Sequence, residues 1–149
     1  MALANLLFVV LVGLVLFNNG VQAYIHFEAY PVFAHVGKDS LATYLSEYEK
    51  RLTIPLLAPY GLTLLVNLIL LFVRPDGISL IALIVVFVLN LSVAPISLFV
   101  ATPVYNQVKE GALDVMPRLM NINLIRLLIT TVTSVVVLYL LYTLLPVAA

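Results

Sequence analysis

The chain has 149 residues, 64% hydrophobic and only 9% charged, with seven basic side chains balancing seven acidic ones. So little polar surface cannot cover a water-soluble globule, and lipid is the solvent this composition calls for. The absence of cysteine excludes disulfides, thiolate metal sites and dithiol redox chemistry, and the lack of a basic patch excludes nucleic acid as a partner.

Four apolar runs stand out, at 3–23, 52–73, 78–100 and 124–145. Each exceeds the roughly 20 residues that cross a hydrocarbon core of about 30 Å at 1.5 Å per helical residue. The expected fold class is therefore all-α, an integral membrane antiparallel four-helix bundle, with 1–149 forming one transmembrane domain. The first run ends in "VQA", which imitates a secretory cleavage site. No Lys or Arg precedes it, and it exceeds the 7–15 apolar residues usual for a signal peptide, so it is expected to stay as a span.

The segment 24–51 follows, and holds both histidines, in "HFEAYPVFAH". After Pro31 irregular backbone is expected; then Asp39 or Ser40 is a natural N-cap for a helix starting near Leu41 and protruding about three turns from the membrane. Tyr44, Glu47, Tyr48 and Arg51 then fall at i, i+3, i+4 and i+7, on one face. Pro55 and Pro59 predict a bend where this helix enters the bilayer, and Pro95 another in the third span. "RPDG" at 74–77 is a tight turn, and Pro103 and Pro117 bracket the second long connection, 101–123.

Lys38, Lys50, Arg51, Lys109 and Arg118 lie in the two longer connections, against Arg74 alone on the side of the termini. Short cytoplasmic segments retain positive charge, so the longer connections are expected in the cytoplasm and both termini outside it.

Polar residues inside lipid normally face the bundle interior and find partners there. Asn18, Gln22 and His26 recur every four residues on the first helix, with Asn19 beside them. Asn123, Arg126, Thr130, Thr133 and Ser134 form a matching stripe on the fourth. Two such stripes predict a polar pocket toward the cytoplasmic end. Arg126, one turn inside its span, needs compensation, with Glu28, Glu47 and Glu49 as candidate partners. It either snorkels or locks helices as a structural ion pair, or it serves a ligand. His26 is likewise either an interfacial histidine bonded to a carbonyl or a general base.

Several chemistries fail on residue count. "HFE" matches the H-x-E element of zinc deaminases but has no cysteines to complete it, and two histidines cannot build a di-iron site. No P-loop, dinucleotide fingerprint or nucleophile elbow occurs. No metal and no cofactor are expected. A cofactor-independent reaction needs one base and donors for the resulting anion, which points to His26 and Arg126 as catalytic candidates. Gln22, Glu28, Tyr30, Tyr44, Glu47, Tyr48, Asn106 and Asn123 are the candidate ligand contacts.

"YPVFAHVGKDSLATYLSEYEKRL", "PVYNQV" and "LMNINLIRLLITTVTSVVVLYLL" together resemble the small four-span membrane family that includes the anthrone-oxygenase-like proteins. Its Pro-x-x-Asn-like element after helix three corresponds to Pro103 with Asn106, and its Asn-x-x-Arg element opening helix four to Asn123 with Arg126. The chain lacks the tryptophan that often precedes the second element, and has Leu127 where many relatives have threonine. The resemblance implies four antiparallel helices and, in a few members, oxygen insertion into polycyclic phenols without a bound cofactor.

The expected function is thus binding of a hydrophobic aromatic or quinone-like molecule from the bilayer in a cytoplasmic-end pocket. Two alternatives stay open: a cofactor-independent oxygenase acting on a phenolic or anthrone-like substrate, and a structural subunit. The partners are the lipid bilayer and a hydrophobic small molecule, with a homo-oligomer or a larger membrane complex left open.

Overall fold

A computed structural model describes residues 2–144. Four helices, α1 Ala2–Phe33, α2 Lys38–Leu70, α3 Leu80–Lys109 and α4 Leu113–Leu144, are long and apolar enough to cross a membrane, and among the described residues there is no strand. The chain is an all-α four-helix bundle and a multi-pass membrane protein. Leu145, the last residue of the fourth expected span, lies outside the described residues.

The helices outrun the apolar spans. α1 continues through Pro31 to Phe33, where irregular backbone was expected, and α3 continues through Pro103 to Lys109. The same device permits both. A π-helical turn, Ile25–Ala29 in α1 and Ile96–Ala101 in α3, ends two residues before each proline. Tyr30 N–H bonds Ile25 O and Thr102 N–H bonds Ser97 O, each five residues back. Proline lacks an N–H and crowds the carbonyl four residues before it; the wider turn relieves that crowding and lets the helix go on.

α2 starts at Lys38 with Gly37 as its N-cap, earlier than the expected Asp39 or Ser40 cap, and no side chain caps it. Instead the Ser40 N–H bonds Gly37 O at 2.9 Å, while Asp39 sits in the first turn, where the helix dipole favours a carboxylate. Pro55 and Pro59 lie inside the continuous helix.

Connections of four, nine and three residues, 34–37, 71–79 and 110–112, join the helices, short enough to force antiparallel neighbours. Gly77 and Gly111 turn the last two with φ of +87° and +97°. α1 packs on α2 and α4, and α3 packs on the same two, so the helices run around the bundle in chain order.

The core has three layers. Where α1 begins and α4 finishes, Phe8, Leu11, Val15, Leu70, Leu83, Val86 and Val137 form one apolar cluster. At the other end Ile25, Phe33, Leu41, Leu45, Val108 and Leu119 form a second. Between them lies a polar belt of buried Asn18, Gln22, Thr63, Asn90, Asn123, Arg126, Thr130 and Thr133. Its hydrogen bonds cross between helices: Asn18 Nδ2 to Thr63 Oγ1 at 2.8 Å, Thr130 Oγ1 to Asn19 Oδ1 at 2.9 Å, and Asn123 Nδ2 to Gln22 O at 3.3 Å. Outward, Phe72, Phe99, Ile54 and Ile81 are at least 73% exposed, a surface suited to hydrocarbon and not to water.

Candidate functional site

Arg126 lies at the centre of the belt and is 6% exposed. Its Nη2 donates to Asn123 Oδ1 at 2.6 Å and to Tyr30 Oη at 3.2 Å, and its Nη1 donates to Ser97 Oγ at 3.1 Å. Asn123 is one turn away on α4, so the helix itself sets that contact. Tyr30 and Ser97 both come from the π-helical regions: Tyr30 follows the widened turn of α1, and Ser97 lies within that of α3. Nε is buried without a partner.

All of these acceptors are neutral. Glu47 pairs with Lys50 at 2.7 Å and Glu49 with Lys109 at 2.7 Å, while Glu28 is exposed. Among the described residues no carboxylate forms an ion pair with Arg126, so none of the three expected acidic partners meets it. Holding arginine charge at the centre of a membrane helix costs roughly 2.5–3.5 kcal/mol on insertion scales, and here three neutral oxygens and the open space beside the guanidinium are what it has in exchange.

That space is a pair of adjoining cavities, about 300 and 220 Å³, lying between α2 and α3 with Arg126, Tyr30 and Tyr105 bordering both. The larger is walled mainly by apolar groups, among them Leu56, Leu57, Val93, Leu98 and Ala101, with Gln22 at its edge. The smaller adds Tyr48, Glu49, Thr53 and Asn106. The arrangement is a cationic, donor-rich centre at the foot of an apolar cleft, a form typical of sites for small hydrophobic molecules.

Gln22, Tyr30, Tyr48, Asn106 and Arg126 thus border the cavities, and Asn123 braces Arg126 from behind. His26 borders neither cavity; it is half-buried, its Nδ1 has no partner, and its ring meets Phe27 edge-on at 4.9 Å. Tyr44 and Glu47 line a separate hollow of about 330 Å³ with Tyr48 and Arg51, and of these four only Tyr48 also borders a cavity with Arg126. Glu28 lines none of these spaces.

Ser97, Phe33 and Tyr60 were not singled out from the sequence. Ser97 sits in an apolar span and reaches Arg126 through a change of helical register that a 3.6-residue period does not anticipate. Fully buried Phe33 gathers Tyr30, Tyr44, Tyr48 and Tyr105 at centroid distances of 5.2–6.1 Å, a cluster hidden by the expectation of irregular backbone. Tyr105, one of the tyrosines on this side, borders both cavities. Tyr60 borders the larger cavity and ties α2 to α3 through Asn90 O.

No family model, curated protein or solved structure matches this chain.

Proposed function

We propose that the chain is a membrane binding protein for a hydrophobic aromatic or quinone-like molecule, which enters from the bilayer between α2 and α3 and sets its polar head against Arg126. The observation that carries this reading is a buried arginine with no acidic partner among the described residues, beside an apolar-walled cavity of about 300 Å³. A guanidinium left open to such a space gains from any acceptor that fills it. Tyr30, Tyr48 and Tyr105 offer ring faces to an aromatic body. In this reading the connections 34–37 and 110–112 lie in the cytoplasm, as the positive charge around them favours, and both termini lie outside. A purely structural subunit calls for a filled bundle, and the cavity argues against it.

The test is extraction of the purified, detergent-solubilised chain with organic solvent and mass spectrometry of the extract, paired with the Ala94→Phe variant, which fills the cavity wall. A co-purifying aromatic or quinone-like compound, lost from that variant while the helical circular dichroism persists, supports the reading. The same lipid profile from both proteins discards it.

A second reading, cofactor-independent oxygenation of an anthrone-like substrate, is favoured by the same cationic centre, which suits a developing oxyanion. A base removes the acidic ring C–H proton, molecular oxygen adds to the resulting carbanion, the base returns the proton to the peroxide anion, and loss of water from the hydroperoxide leaves the quinone carbonyl. Glu49, which borders the smaller cavity with Arg126, is the carboxylate in position for the proton transfer. Oxygen consumption on adding anthrone, abolished in Arg126→Gln, would distinguish this reading from binding alone.

A further inference from the structure

The binding reading leaves open what chemical state of the head group the cavity selects. Arg126 brings a positive charge that no described carboxylate offsets. Glu49, the acid bordering the smaller cavity, has its charge balanced by Lys109 at 2.7 Å.

The uncommitted polar atoms are mostly donors. Nε of Arg126 and the hydroxyl of Tyr48 are buried without partners. The Tyr30 hydroxyl accepts from Arg126 at 3.2 Å, which leaves its own hydrogen to point onward. Ser97, by contrast, spends its hydrogen on Val93 O at 2.8 Å. Gln22 has a buried Oε1 without a partner at the edge of the larger cavity, and its amide can turn to offer either atom.

The way the guanidinium is held restricts the anion further. A carboxylate grips arginine through two parallel N–H groups. Both such edges of a guanidinium include Nη2, and here Nη2 is engaged twice, by Tyr30 and by Asn123. The two-oxygen grip is blocked. What stays unpaired are Nε and the second hydrogen of Nη1, with the phenol hydrogens of Tyr30 and Tyr48 in the same cavity lining: a setting for one charged oxygen on a ring.

Resting on the binding reading above, we infer that the cavity takes its aromatic ligand as a phenolate or enolate, the conjugate base of a weakly acidic hydroxy-aromatic compound, in preference to the neutral quinone or phenol. On binding, the ligand O–H breaks, its proton passes to bulk water, and the oxygen it leaves carries the charge that Arg126 lacks.

The probe is β-hydroxyanthraquinone, whose phenolate absorbs at longer wavelength than its phenol, titrated with the full chain in detergent across pH. Anthraquinone, which cannot ionise, serves as the neutral analogue. The expected result is a phenolate band on the bound dye at pH values where the free dye is neutral, with the apparent pKa of the bound dye lowered by about one unit or more, a tenfold preference for the anion. Arg126→Gln should abolish that shift, and Arg126→Lys should keep most of it.

Dye and anthraquinone binding with equal affinity, or a bound dye titrating like the free one, would overturn the inference while leaving the cavity as a neutral aromatic site. Failure of both compounds to bind would overturn the binding reading itself. Because the titration uses the native chain, it decides the matter even where an Arg126 variant fails to fold.

Discussion

Asn123 holds Arg126 from one turn away on the same helix, its Oδ1 accepting from Nη2 at 2.6 Å while its Nδ2 donates to Gln22 O on α1. One buried amide therefore orients the cation and joins two helices. Asn123→Ala should cost roughly 1.5–3 kcal/mol, the usual worth of a hydrogen bond to a charged group, read as a lower midpoint in unfolding by sodium dodecyl sulfate.

Asn123→Asp should behave differently. It supplies a carboxylate where no described one meets Arg126, but gives up the Nδ2 donation to Gln22 O, so it should cost less stability than Asn123→Ala. An anionic ligand should then bind about tenfold more weakly or worse, since its role is already taken. Calorimetry of the binding probe against this variant checks the outcome; unchanged affinity would mean that charge compensation is not what the cavity offers.

Asn18 and Thr63 clamp α1 to α2 at 2.8 Å in the polar belt. Hydrogen bonds between transmembrane helices are worth about 0.6 kcal/mol on average and about 1.7 kcal/mol at most in double-mutant cycles. A cycle of Asn18→Leu and Thr63→Val should fall within that range. A coupling near zero would show that each group finds another partner when its mate is removed.

Pro103 stands two residues beyond the π-helical turn Ile96–Ala101. Pro103→Ala restores the missing N–H and removes the crowding ring, so the turn loses its cause and the helix should relax toward 3.6 residues per turn. Ser97 would then rotate off Arg126. Slower amide hydrogen exchange across 96–103 together with several-fold weaker ligand binding is the expected pair of results.

Gly77 has φ of +87°, whereas Gly61 lies in the regular part of α2 with no atom within 4 Å of an added Cβ. Gly77→Ala should cost roughly 1–2 kcal/mol for placing a Cβ in the left-handed region. Gly61→Ala should be neutral or stabilising by up to about 1 kcal/mol, because a mid-helix glycine carries an entropic penalty. Thermal unfolding of the two variants side by side tests this contrast.

The four spans were legible because hydrocarbon demands about 20 apolar residues in a row and little else. The interior stripes were legible too, since Asn18, Gln22, Asn123, Arg126 and Thr130 recur at helical spacing and all are buried. What stayed hidden depends on register: His26, spaced four residues after Gln22, falls within the widened turn Ile25–Ala29 and borders neither cavity with Gln22 and Arg126. Ser97 arrives at Arg126 by the matching turn in α3. The acidic partners expected for Arg126 are engaged elsewhere: Glu47 pairs with Lys50 three residues on along the same helix, and Glu49 with Lys109 on another helix, a contact that sequence spacing does not convey.

The apolar cluster of Phe8, Leu11, Leu70, Leu83 and Val137 plugs the bundle on the far side of Arg126. In the proposed binding role a guest lodged beside the guanidinium would sit in a blind alley, leaving as it entered, through the seam between α2 and α3. In that role, architecture of this kind suits a protein that keeps, presents or alters a membrane-dissolved compound, and is ill suited to passing it from one end of the bundle to the other.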